Sequence, residues 1–423
     1  MFYNLNRNVY LVNGKNRGCI YDFNSSKLYS INNELSNKID WINKEPILVE
    51  KIEPPLRAIF EQLVQLGILT ADDTSITRDI MELRKEDSGI QFAWIEITNQ
   101  CNLRCRHCYN ESNMQCDSEM SVSDYKLVIN SLVDLGIQKV QIIGGEPFVN
   151  PSRLREMLDY TVGKVKFIEV FTNGTLITSE WVEFFAERKI HVALSVYSYK
   201  KDEHDKVTGQ KGSWEKTNHA ISELKARGVD YRVCNVLMKD IDLGTDGSNL
   251  YELSEEKDIV RMSGRGNFSL LSDELIHKKL ITKQSFRKPL NKHFIERLIS
   301  GHNCFRERIY ISSNMEIFPC VMERRLKHGA ITKQSDIVLD NNIRNLSKDK
   351  IEGCSSCEYR YACFDCRPDS LTGEAFEKPW YCTYDPIRGE WADEEEFIAG
   401  LKCRWGTEKD GIEETKRAIK KIP

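Results

Sequence analysis

Ten of the fourteen cysteines fall into two groups, and any fold for this chain has to bring each group together. Cys101, Cys105 and Cys108 share the stretch ITNQCNLRCRHCY. Cys304, Cys320, Cys354, Cys357, Cys363, Cys366 and Cys382 occupy a later segment, four of them inside CSSCEYRYACFDC, while Cys19, Cys116, Cys234 and Cys403 stand apart. The N-terminus shows no apolar signal segment and no run approaches the length of a spanning helix, so the chain is expected to be cytoplasmic with its thiols reduced. Metal or redox chemistry then explains the grouping better than disulfides do. Taken alone, the quartet reads equally well as one zinc site, because paired CxxC turns complete a tetrahedron.

The chain's 423 residues exceed one ordinary domain. Residues 1–80 open with three β-like runs, NVYLVN, GCIYDF and KLYSI, and continue into helical patterns such as EPPLRAIFEQLVQLGIL. A small winged-helix-like domain is expected there. Nine Lys and Arg against ten Asp and Glu over those residues leave no basic face for phosphates, and the net charge of -4 attracts neither nucleic acid nor an anionic membrane. From 88 to 275 the pattern alternates strand and helix: FAWIEIT, KVQIIGG, KFIEVFTNG, HVALSVYS, YRVCNVLM and DIVRMSG, with amphipathic segments between most of them. Six such units predict an α/β fold, a partial (β/α)6 TIM-like barrel whose ligands lie at the carboxyl ends of the strands. A polar connecting helix over 276–300, a cysteine-rich domain over 301–392 and a solvated helical tail over 393–423 complete the expected organisation.

Three thiolates on the tight loop of Cys101, Cys105 and Cys108 can hold three irons of a [4Fe-4S] cluster and leave the fourth without a protein ligand. A zinc site would need a fourth residue nearby, for which His107 and Cys116 are the candidates. In its CxxxCxxC spacing and its place after the first barrel strand, the loop resembles that of the radical S-adenosylmethionine enzymes, although His107 stands where an aromatic is commoner. The resemblance implies that the open iron chelates the methionine moiety of S-adenosylmethionine, whose cleavage yields a 5'-deoxyadenosyl radical. It also places His107, Tyr109, Gly144, Gly145, Glu146, Ser195 and Lys216 around that cofactor. Gly144 to Pro147, GGEP, ends the second strand, where glycines free the backbone to approach and Glu146 supplies charge near an ammonium. Ser195 matches a ribose contact and Lys216 a cation for the carboxylate; no general base is assigned.

The later cysteines resemble the SPASM extension of peptide-modifying radical enzymes, which holds two auxiliary [4Fe-4S] clusters and so raises the expected total to three. Its pattern implies that Cys354, Cys357, Cys363 and Cys382 hold an outer cluster, while Cys366 crosses over to join Cys304 and Cys320 on an inner one, as the fourth cysteine does in two-cluster ferredoxins. Two departures stand out: Met315 replaces a glycine, and Cys363 to Cys366 are spaced x2 rather than x3. The inner set lacks a fourth thiolate. His302, Cys116 or Cys403 would complete it; failing these, one iron is open to a substrate cysteine.

The resemblance spans nearly all of residues 1–395 and is nearest to maturases of the sactipeptide, ranthipeptide and grasp-with-spasm type, which build thioether links in ribosomally made peptides. It implies a precursor peptide whose leader is captured by residues 1–80, by adding a strand, and an electron donor such as flavodoxin or ferredoxin. Rival readings are another SPASM modification (a carbon–carbon crosslink, epimerisation or formylglycine-generating oxidation) and, from another class, a zinc-binding regulator without catalysis.

Overall fold

The computed structural model describes residues 1–405 apart from 257, 303, 335, 371 and 372. Its N-terminal unit is a meander of β2 (Val9–Asn13), β3 (Arg17–Asp22) and β4 (Lys27–Asn32), preceded by β1 (Phe2–Leu5). Helix α1 (Asn33–Lys44) starts where the Asn32 side chain accepts from Leu35 N, and α2 (Pro54–Gln65) starts on two prolines, as a first turn tolerates. β5 (Leu69–Asp72) then returns to pair with β1, a pairing absent from the sequence reading.

Side chains alternate across a strand, and here both faces are covered. Val9 and Ile20 pack with Ile39 and Phe60 beneath the helices, whereas Tyr10, Val12, Cys19 and Tyr21 pack on Tyr359, Tyr361 and Tyr384 of the cysteine-rich segment. Backbone bonds fix that second contact. Lys15 N donates to Ser356 O (2.8 Å) and the Tyr21 hydroxyl to Glu358 O (3.0 Å).

Next come five parallel strands in sequence order: β6 (Phe92–Glu96), β7 (Lys139–Ile143), β8 (Phe167–Thr172), β9 (His191–Ser195) and β10 (Tyr231–Cys234). The connections carry α3 (Val122–Asp134), α4 (Pro151–Thr161), α5 (Ser179–Arg188), α6 (Lys201–Thr208) and α7 (Ser213–Arg227). Their apolar faces bury Ile95, Val140, Ile142, Val170 and Val192 in the largest core of the molecule.

Three expectations need correcting. DIVRMSG forms a single bridge, Leu237 to Ile259, rather than a sixth strand; Asp258 and Gly264 both take positive φ, which breaks the extended run. The sixth parallel position lies at the opposite edge, where β11 (Arg308–Ile311) pairs with β6 and continues antiparallel into β12 (Glu316–Phe318) and β13 (Gly329–Ala330). Part of the segment expected to be organised by metal is therefore sheet. The connecting helix of 276–300 is two helices, α8 (Asp273–Lys279) and α9 (Lys292–Ser300), separated around Pro289.

The remaining elements are α10 (Asn341–Arg344), the short pair β14 (Tyr384–Asp385) and β15 (Glu390–Trp391), and α11 (Glu394–Trp405). α11 is more than a solvated cap, since Ile398 and Leu401 are buried and Trp405 meets the rings of Phe268 and Trp380. The rest of the expected tail, 406–423, lies outside the described residues.

His204 on α6 is buried, and its Nδ1 accepts from Tyr197 N (3.2 Å). Burial lowers its pKa from the ordinary 6.5 to about 4. The unfolded chain therefore binds more protons between those values, so this residue makes stability fall as pH drops from about 6.5 to about 4. His204→Asn, which keeps an acceptor but cannot titrate, is expected to flatten that part of the profile in denaturant unfolding measured across pH.

Candidate active site

The loop after β6 is held by backbone bonds on three sides. Gly145 N donates to Thr98 O (2.8 Å) and Glu146 N to Gln100 O (2.7 Å), so the GGEP turn at the end of β7 is laced to the residues entering Cys101. Arg104 N and Arg106 N donate to the carbonyls of Thr208 and Val207 at the end of α6. On the third side Arg265 N donates to Cys108 O, while its side chain reaches Cys105 O (2.8 Å) and Ser112 O (3.0 Å). Arg265 belongs to the GRG stretch just beyond the run that did not become a strand. Its role was hidden because a cation between glycines is an ordinary loop pattern.

The glycines of GGEP have a stricter reason than access for a ligand. A Cβ on Gly144 would stand 2.6 Å from Thr98 O, and one on Gly145 would stand 2.1 Å from Gln100 O. Neither neighbour can yield, because both are backbone. Glu146 is fully buried, and its carboxylate accepts from Thr172 Oγ1 (2.7 Å), Asn173 N (2.7 Å) and Phe148 N (3.1 Å). Its pKa is nevertheless pushed up to about 7 by burial. The carboxylate thus organises the ends of β7 and β8, and its charge also raises Cys101.

Ser195, the last residue of β9, is half-buried and joined through the Tyr197 hydroxyl to Cys105. Tyr197 is a residue the sequence reading passed over, although it lies two positions beyond Ser195. His107 packs edge-to-face on Tyr197 at 4.8 Å; burial lowers its pKa to about 4, and its Nδ1 is buried without a partner among the described residues. Tyr109 lies within electrostatic reach of Glu96, Cys108 and Cys320. Lys216 is exposed on the first turn of α7, one residue before Thr217, whose hydroxyl donates to Asn173 O.

The eight-stranded sheet also carries polar residues that periodicity did not single out. Gln141 and Arg232 both bond Glu169, and buried Glu96 accepts from Asn110 and Ser313, which ties the cysteine loop to the β11–β12 turn.

The ten grouped thiols lie in three neighbourhoods. Neighbouring thiols add to the rise of some members: Cys105 and Cys108 at Cys101, Cys320 and Cys304 at Cys366, and Cys363 and Cys382 at Cys354 and Cys357. Burial is the larger cause, pushing Cys105 and Cys366 up to about 12 and Cys320 and Cys354 up to about 11. Cys354, Cys357, Cys363 and Cys382 line one cavity, and Cys366 does not join them. Among the described residues no three His, Cys, Asp or Glu side chains converge as one ion would need. Four thiols lining one cavity, with Cys354 raised by burial, offer the donors that a thiolate-bound metal group needs.

The inner set has Arg261 within electrostatic reach of all three thiols, anchored to Asp369 at 2.8 Å. Of the expected fourth ligands, His302 lies beside the set, buried, with its Nε2 without a partner among the described residues. His302 Nδ1 accepts from Cys304 N, but its ring faces the charges of Arg367 and Lys348; Cys116 sits in the loop of the first set; Cys403 is exposed on α11.

Residues 95–241 match the Radical SAM superfamily. The chain carries a radical SAM domain. That family implies one [4Fe-4S] cluster and S-adenosylmethionine, for which Cys101, Cys105 and Cys108 offer the thiolates. The chain is 33% identical over 211 residues to the antilisterial bacteriocin subtilosin biosynthesis protein AlbA of Bacillus subtilis, covering 49% of this chain and 44% of AlbA. It is 24% identical over 340 residues to an AdoMet-dependent heme synthase of Methanosarcina barkeri, covering 70% and 96%. Streptococcus suis SuiB bound to precursor peptide SuiA superposes with a TM-score of 0.47 at 13% identity, over 86% of this chain and 96% of that one. Among the described residues no helix is long and apolar enough to cross a membrane.

Gly145→Ala is expected to displace the 98–101 backbone. Anaerobically reconstituted variant should lose about four irons of the wild-type content, counted by iron assay, while the other two cysteine sets stay loaded.

Proposed function

We propose that this chain is a peptide maturase that joins the sulfur of a substrate cysteine to a carbon of an acceptor residue in a ribosomally made precursor. The observation that carries the reading is the division of ten cysteines into sets of three, three and four, with Cys366 leaving its own quartet to meet Cys304 and Cys320. AlbA, named for biosynthesis of a bacteriocin, supports a peptide substrate.

In this reading Cys101, Cys105 and Cys108 hold a cluster that binds S-adenosylmethionine, and together these supply an organic radical able to take a hydrogen atom. Arg265 and the GGEP turn hold the loop that presents it. Tyr197 and Ser195 order the far side. Cys304, Cys320 and Cys366 would hold an inner cluster that could also take the substrate thiolate, and the Arg261 guanidinium would offset the negative charge gathered there. The outer set and residues 1–80 complete the enzyme, the latter taking the leader. Each link removes two hydrogens from the peptide, one as an atom from carbon and one as a proton plus an electron from the thiol.

The match to a heme synthase spans more of both chains and favours a second reading, chemistry on a tetrapyrrole. Product analysis separates the two. With a cysteine-bearing precursor, turnover should release 5'-deoxyadenosine, lower the peptide mass by two hydrogens per bond and remove an alkylatable thiol. Full labelling of every precursor cysteine after turnover would sink the thioether reading; mass loss with all thiols intact points to a carbon–carbon link, and unchanged mass with an inverted centre to epimerisation. Reconstituted protein should hold about twelve irons, and Cys105→Ala should abolish 5'-deoxyadenosine while keeping about eight. A zinc-binding regulator would hold few or none.

A further inference from the structure

A second cavity, of about 310 Å³, lies between β4, the 281–295 connection and the cysteine quartet. Cys363, Ile281 and Phe286 line both this cavity and the one enclosed by Cys354, Cys357, Cys363 and Cys382. Cys363 is thus the wall between the outer cysteine set and the groove. Phe294 and Phe364 flank it with ring centroids 6.3 Å apart, and Phe364 is 49% exposed.

The rim is strongly basic in an otherwise acidic chain. Residues 281–295 contain Lys283, Arg287, Lys288 and Lys292 and no Asp or Glu, and all four cations are exposed. Lys27 of β4 adds a fifth beside them, since Leu290 N donates to Ser26 O. The next carboxylate along the chain, Glu296, is already paired with Lys85 and faces His293.

We propose that this groove is the docking site of an acidic one-electron carrier, which exchanges its electron with the outer cysteine set across Cys363. The inference rests on reading that set as a cluster site. An apolar floor leading to the Cys363 thiol, ringed by exposed cations, suits a partner whose redox centre is surrounded by carboxylates, because opposite fields steer and orient such encounters. A carrier arriving reduced gives up one electron and leaves oxidised by one; no bond forms and no proton moves.

The test uses the full reconstituted chain and flavodoxin as the probe. Lys288→Glu/Lys292→Glu reverses two rim charges; Lys292 is the first residue of α9, where a carboxylate suits the helix N-terminus, so folding is not threatened. Lys51→Glu/Lys166→Glu is the control at exposed positions outside the groove. Calorimetry with oxidised flavodoxin at low salt, and stopped-flow oxidation of flavodoxin hydroquinone, should show association about ten- to a hundredfold weaker or slower for the rim variant only. The difference should close at high salt, and reduction by dithionite should not change. Equal flavodoxin binding by rim variant and wild type overturns the proposal, as does a rim variant that loses only the precursor peptide. The calorimetric arm reads docking whether or not iron is bound, and the iron count tests the cluster reading separately, so the two failures are distinguishable.

Discussion

Burial of the cysteine thiols is the constraint on which the rest of the structure depends. A thiolate taken out of water is costly unless a cation meets it, and the thiols most deeply enclosed here are pushed far from their ordinary range. The fold answers by placing guanidinium and ammonium groups around each set: Arg265 on the first loop, Arg261 beside the inner thiols, Lys348 and Arg367 near the outer ones. Buried Asp365 holds those last two cations together.

The sequence revealed the parts that follow from short-range rules. β-branched and aromatic runs between turn residues located β2, β3 and β4, the alternation of such runs with helical segments located the five strands β6 to β10, and the CxxxCxxC loop was recognisable from spacing alone. It did not reveal where a strand finds its partner. β11 lies more than two hundred residues after β6, and its run RIYI is flanked by cysteines that drew attention to metal instead. DIVRMSG has the composition of a strand, but positive φ at Asp258 and Gly264 turns the chain away and leaves Arg265 to clamp the cysteine loop.

Residue roles showed the same division. That Gly144 and Gly145 must be glycine was legible, yet the reason is the backbone of residues 98–100 pressing on them from the preceding strand's loop. Met315 has a matching explanation. It stands where the resembled pattern has glycine, and its φ of +60 keeps the left-handed turn between β11 and β12 that glycine would take without strain.

The contact between the β2–β3 turn and the cysteine quartet has a further consequence. Lys15, Tyr21 and Asn13 bond Ser356, Glu358 and Arg360, residues interleaved with Cys357. The N-terminal unit and the quartet loop therefore share one rigid seam, and whatever orders one restrains the other. Any coupling between a ligand on the N-terminal unit and a group held by the quartet would have to pass through that seam, and would be equal in both directions.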